Sequence, residues 1–166
     1  ILFHKRSKTM YGQELMSFNP HQSCMIPFEN VNSSRNSMKK VSECGVILFN
    51  KNMMDVLIVF QNKSQKWGFP KGHMTRNEIY KKEYLKCAKR ELFEETGIDL
   101  RMLQHTKYGS VIIGNKLFFV IEVKKEFIET NPLDVCEIEK IQWVKRNELK
   151  CFVQANECNV TLNKLF

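Results

Sequence analysis

Lys89-Arg90-Glu91-Leu92-Phe93-Glu94-Glu95-Thr96-Gly97-Ile98 is the stretch whose reading decides the fold. On a helix, residues three and four apart are neighbours, so Glu91, Glu94 and Glu95 share one face. Three carboxylates there repel one another unless something positive sits between them. Their oxygens are hard ligands that suit Mg²⁺ or Mn²⁺, and Mg²⁺ is typically held by a few carboxylates together with substrate phosphates. Taken alone, Glu-x-x-Glu-Glu also reads as a solvated acidic helix face. Gly97 is the expected left-handed stop. Leu85, Ala88 and Leu92 share a neighbouring face that should pack on a sheet. Lys82, Lys86 and Lys89, spaced i, i+4, i+7, form a basic stripe roughly opposite the carboxylates.

Working outward, Trp67-Gly-Phe-Pro-Lys-Gly-His73 precedes this helix, and five residues separate Gly72 from Glu78. Gly72, Glu78 and the run from Arg90 to Ile98 together resemble the Nudix box. Eleven residues lie between Glu78 and Arg90, where the box has seven. Four extra residues are close to one turn of about 3.6, so the helix is expected to start one turn early and keep its face. Thr75-x-x-Glu78 reads as a capping box for that start. Either Glu78 or Glu83 takes the place of the box's first Glu, a structural partner of the Arg.

The resemblance implies an α/β fold: an α/β/α sandwich with a mixed sheet between helices. It also implies hydrolysis, at the pyrophosphate, of a nucleoside diphosphate linked to another moiety. Glu91, Glu94 and Glu95 would bind Mg²⁺ or Mn²⁺, with the Gly72 carbonyl as a further ligand. Arg90 would orient the glutamates. The general base would be a box Glu, Glu91 among them, or an acid outside the box, for which Glu137 is the candidate. Lys71 and His73 would meet substrate phosphates.

Within that family the chain is most similar to mRNA-decapping enzymes. The resemblance rests on Gly45-Val-Ile-Leu48, Trp67 to Gly72, Asn115-Lys-Leu-Phe-Phe119 and Glu137-Ile-x-x-Ile-x-Trp143, and covers about residues 43–150. It implies release of 7-methylguanosine diphosphate from capped RNA, as by a stand-alone enzyme of a large DNA virus. Trp67-x-x-Pro70-Lys-Gly-His73 also resembles diadenosine tetraphosphate hydrolases. Dinucleoside or diphosphoinositol polyphosphates are therefore the alternative substrates, and an inactive RNA- or protein-binding module is the third reading. Trp67, Phe69 and Phe118 are candidates to stack on a cap, each equally readable as core.

The rest of the chain supplies the frame. Glu43–Phe49 and Val56–Phe60 read as two apolar strands of a hairpin buried on both faces. Tyr108–Ile113 and Lys116–Val123 read as a hairpin turning at Gly114-Asn115. Residues 127–135 read as a loop carrying Pro132, Glu137–Val144 as a strand, and the C-terminus as helical. Residues 41–166 are expected to form the domain. Residues 1–40 read as an arm with a Ser/Asn-rich linker, holding six Lys/Arg against two Asp/Glu.

The net charge of +8 favours polyanionic partners. Lys5, Arg6 and Lys8 would join the basic stripe in holding the body of an RNA. No apolar run approaches the roughly 18 residues of a membrane span. Six cysteines without Cys-x-x-Cys spacing read as reduced thiols in a cytoplasmic setting. The first residue is Ile, which reads as a fragment or processed product. The sequence identifies no protein partner.

Overall fold

In the computed structural model, which describes residues 40–165, seven strands form one mixed sheet. The strands are β1 (Glu43–Phe49), β2 (Asp55–Gln61), β3 (Lys66–Gly68), β4 (Lys71–His73), β5 (His105–Ile113), β6 (Lys116–Val123) and β7 (Ile138–Lys145). The helices are α1 (Arg76–Lys81), α2 (Tyr84–Thr96), α3 (Leu149–Ala155) and α4 (Val160–Asn163). The expected arm, with Lys5, Arg6 and Lys8, lies outside the described residues except for Lys40.

Period-two alternation along β1 splits its apolar residues between two cores. Cys44, Val46 and Leu48 join Ala88 and Leu92 of α2. Ile47 and Phe49 join Leu149 of α3 and Leu162 of α4. Both sheet faces are therefore covered by helices, which is the sandwich expected. β1 runs parallel to β6 over seven paired positions, a pairing whose long connection contains the whole acidic helix.

Three expectations need correction. β1 and β2 do not form a full hairpin: they share one pair, Phe49 with Val56. Beyond it they part, because β1 takes β4 and β6 while β2 takes β3 and β7. The acidic helix does not start one turn early. The capping box at Thr75 forms, but it opens a separate helix, α1, which ends where Lys82 turns left-handed at φ 55°. Lys82 thus lies off α2, and the continuous basic stripe does not exist. Lastly, β5 begins three residues earlier than its apolar content suggested, because His105, Thr106 and Lys107 pair with β6.

Among the described residues no helix is long and apolar enough to cross a membrane.

Candidate active site

Burial of Ala88 and Leu92 against the sheet fixes the roll of α2. That roll presses Glu91 and Glu95 inward, to 9% and 1% exposure, and leaves Glu94 half-exposed. Glu95 Oε2 accepts the backbone N–H of Lys71 at 3.1 Å. Glu91 lies so close over Gly72 that a Cβ there would collide with its carboxylate. The glycine is a requirement of close approach.

Arg90 organises the acids. Its Nε and Nη2 each donate to Glu78 at 3.0 Å, as a two-pronged fork. Nη1 donates to Glu91 at 2.6 Å and to Glu94 at 3.0 Å, and Nη2 also reaches the His73 carbonyl at 3.0 Å. Glu78 is therefore the Arg's partner; Glu83 instead pairs with Lys86 at 2.9 Å. The Arg90 fork outweighs burial and, with the bonds from Thr75, holds Glu78 down at a pKa of about 2.

The acids line a cleft of about 280 Å³, and its far wall is the loop before β7, with Leu133, Asp134, Val135, Cys136 and Glu137. That loop is tied to the C-terminal turn of α2, whose last carbonyls lack partners within the helix. Asn131 N–H donates to the Thr96 carbonyl at 2.9 Å, and Leu133 N–H to the Glu94 carbonyl at 3.0 Å. Gly97, at φ +74°, permits both the turn and the approach of Asn131. Glu137, some forty residues on, thereby joins the helix carboxylates. Burial pushes the Glu95 carboxyl up to about 8, helped by the charges of Glu137 and Glu91 and opposed by Lys71. Burial also raises Glu91, against the pull of Arg90 and with repulsion from Glu94 and Glu137.

The donor set fits a hard divalent cation. It offers three carboxylates on one helix face, and one oxygen, Glu95 Oε1, is buried without a hydrogen-bond partner. Such an atom is costly to leave unpaired. Among the described residues, no three His, Cys, Asp or Glu side chains already meet as a metal cluster. Arg90 Nη1 holds oxygens of Glu91 and Glu94, so these would turn from it to share an ion.

The remaining expected residues fall in different places. Lys71 gives its backbone N–H to Glu95, while its ammonium pairs with Glu43 at 2.6 Å. His73 lies at the end of β4 with its side chain exposed. Lys86 and Lys89 line a second groove, of about 620 Å³, on the other flank of α2 beside Phe93 and Arg101. Trp67, Phe69 and Phe118 are 8%, 1% and 0% exposed, so they are core and offer no face to a cap. Sequence reasoning missed Asp134, although Asp-x-x-Glu137 is a turn signal, since Asp side chains bond backbone two or three residues on.

The chain matches the NUDIX domain over residues 39–160. It is 30% identical over 108 residues to mRNA-decapping enzyme subunit 2 of Saccharomyces cerevisiae, covering 63% of this chain and 11% of that protein. The Arabidopsis thaliana protein of the same name is 29% identical over 115 residues, covering 67% and 30%. The chain thus spans a minor part of these relatives. A protein of Invertebrate iridescent virus 3 is 27% identical over 100 residues, covering 60% and 55%. Among solved structures, a C. elegans Ap4A hydrolase superposes with a TM-score of 0.54 at 16% identity, covering 75% of this chain and 91% of that one. The M. smegmatis Nudix hydrolase RenU gives 0.57 at 16% identity, covering 76% and 83%. These two likenesses speak to the fold.

Proposed function

We propose for this chain, which belongs to the Nudix family, cation-dependent hydrolysis of a phosphoanhydride bond in capped RNA. The products are 7-methylguanosine diphosphate and RNA with a 5′-monophosphate. One observation carries the chemistry: a single cleft joins Glu91, Glu94 and Glu95 to Glu137. The decapping relatives and the Glu137-Ile-x-x-Ile-x-Trp143 segment support the choice of substrate.

Glu91, Glu94 and Glu95 would hold Mg²⁺ or Mn²⁺, with the Gly72 carbonyl beside them. When bound, such an ion neutralises phosphate charge and orients the chain of phosphates. Arg90 would set the spacing of the glutamates, with its fork to Glu78 fixing the guanidinium beside them. Glu137 is exposed at the cleft wall, where it would accept the proton of the attacking water at a carboxylate oxygen. Lys86 and Lys89 would contact phosphates of the RNA body, without Lys82 as a helical neighbour. The five described cysteines, Cys44, Cys87, Cys136, Cys151 and Cys158, are free thiols, as a reducing cytoplasmic setting would leave them.

Pro70-Lys-Gly-His73 favours a second reading, hydrolysis of dinucleoside polyphosphates. The test is product analysis with cap-labelled RNA, diadenosine tetraphosphate and a diphosphoinositol polyphosphate, each with and without Mg²⁺. The proposal expects labelled 7-methylguanosine diphosphate from the RNA at the highest kcat/KM. Faster turnover of either small substrate would overturn the choice of RNA.

A further inference from the structure

The Glu137 backbone is held from two directions: Asn62 N–H donates to its carbonyl at 2.8 Å and Asn62 Nδ2 to the Cys136 carbonyl at 3.1 Å, while Asp134 holds its N–H. Asp134 Oδ1 accepts the backbone N–H of Cys136 at 3.0 Å and that of Glu137, also at 3.0 Å. The Asp134 carbonyl accepts Glu137 N–H at 3.2 Å and Ile138 N–H at 3.1 Å. Residues 134–138 thus close as a tight turn around one acid. The turn is also fixed from the other side. Leu133 N–H and Asp134 N–H both point to the Glu94 carbonyl, at 3.0 and 3.3 Å. Glu94 is one of the cleft's carboxylates, so its peptide is the ruler from which the turn is measured.

This arrangement answers a geometric need. Glu137 comes from a loop, and loops place side chains less precisely than helices. Its side chain is exposed, and its position is set by its backbone. A displacement of about 1 Å in a reacting group can lower a rate on the order of a hundredfold. Asp134 is itself exposed, but its carboxylate caps two backbone N–H groups, so its loss also costs some stability, as the loss of a cap does.

We infer that Asp134 is a positioning residue for the reaction, acting through Glu137. The inference rests on the role proposed above for Glu137. The hydrogen bonds ask of Asp134 only an acceptor oxygen at Oδ1, which Asn also has. Asn at this position should therefore preserve the turn, while Ala should release it.

The test is a two-by-two kinetic cycle on capped RNA with Mg²⁺, using Asp134→Ala and Glu137→Gln, plus Asp134→Asn as the conservative variant. Thermal melts accompany each protein. Asp134→Ala is expected to lower kcat about tenfold or more with little change in KM, and to lower the melting temperature by only a few degrees. Asp134→Asn should stay within about twofold of the parent. In the Glu137→Gln background, Asp134→Ala should add nothing, because two residues acting as one unit are not additive. The inference is overturned if Asp134→Ala keeps full kcat, if its loss recurs in the Glu137→Gln background, or if Asn fails as badly as Ala. If Glu137→Gln itself keeps full kcat, the role of Glu137 fails and takes the inference with it. A slow Glu137→Gln beside a normal Asp134→Ala overturns the inference alone.

Discussion

Arg90 grips Glu78 with two parallel bonds, Nε to Oε1 and Nη2 to Oε2, each 3.0 Å. The pair bridges α1 to α2, and the same guanidinium reaches Glu91 and Glu94. Removing Glu78 leaves Arg90 free to follow the cleft acids alone. Glu78→Gln should cost about 2–3 kcal/mol of stability, since a charge-assisted fork is lost. Chemical denaturation of both proteins at neutral pH measures this.

The same fork predicts an acid response. Glu78 is held at about 2, below its ordinary 4.5. A carboxylate lowered in the folded state stabilises it fully above the unfolded value and loses that contribution as pH falls. The window runs from about 4.5 down to about 2. Melting temperature should drop more steeply in this window for the parent than for Glu78→Gln. Parallel curves would show that the fork does not govern acid stability.

Glu95 predicts the opposite slope. Its carboxyl is raised to about 8 from 4.5, chiefly by burial. Its contribution is therefore full below the unfolded value and is lost as pH rises toward 8. In EDTA, Glu95→Gln should melt above the parent at pH 8 and level with it at pH 4. Mg²⁺ should raise the parent's melting temperature more at pH 8 than at pH 6, because binding requires the ionised carboxylate. A pH-independent Mg²⁺ effect would contradict this.

Gly72→Ala tests the close approach of Glu91. The new Cβ would meet the Glu91 carboxylate, which must then leave its place beside Arg90. Turnover is expected to fall at least tenfold while the melting temperature shifts by only a few degrees. Steady-state kinetics and a thermal melt on one preparation decide it.

These residues also show what the sequence could and could not say. Spacing put Glu91, Glu94 and Glu95 on one face because a helix has a fixed period. The same logic failed for Lys82, since a left-handed residue breaks the period and no Gly marks it. The partner of Arg90 was open between Glu78 and Glu83 because the inserted residues allowed either. Three-dimensional proximity settled on Glu78. Apolar content alone suggests a β1–β2 hairpin, but pairing depends on which other strands compete for each edge. Asp134 leaves little signal in the sequence because it acts through a backbone turn, and only its position three before Glu137 hints at it.

The basic groove yields a further test. Lys86 and Lys89 line a groove with Phe93 and Arg101 that also reaches Arg90 and Glu78. If they hold RNA phosphates, Lys86→Ala with Lys89→Ala should weaken binding of long capped RNAs and spare a cap dinucleotide. The salt dependence should flatten by about 0.7–0.9 log units per log salt for each phosphate no longer neutralised. Equal losses on long and short substrates would assign these lysines to solvated surface.

The most direct measurement of the central claim is turnover by the double variant Glu94→Gln with Glu95→Gln on capped RNA in Mg²⁺, alongside a melt. Both substitutions keep side-chain size and remove the negative charge on which cation binding depends. The expected result is a fall in kcat of orders of magnitude, a fold that still melts cooperatively, and loss of the Mg²⁺-induced rise in melting temperature. Near-parental turnover with Mg²⁺ present would contradict the assignment of these carboxylates and the chemistry built on them.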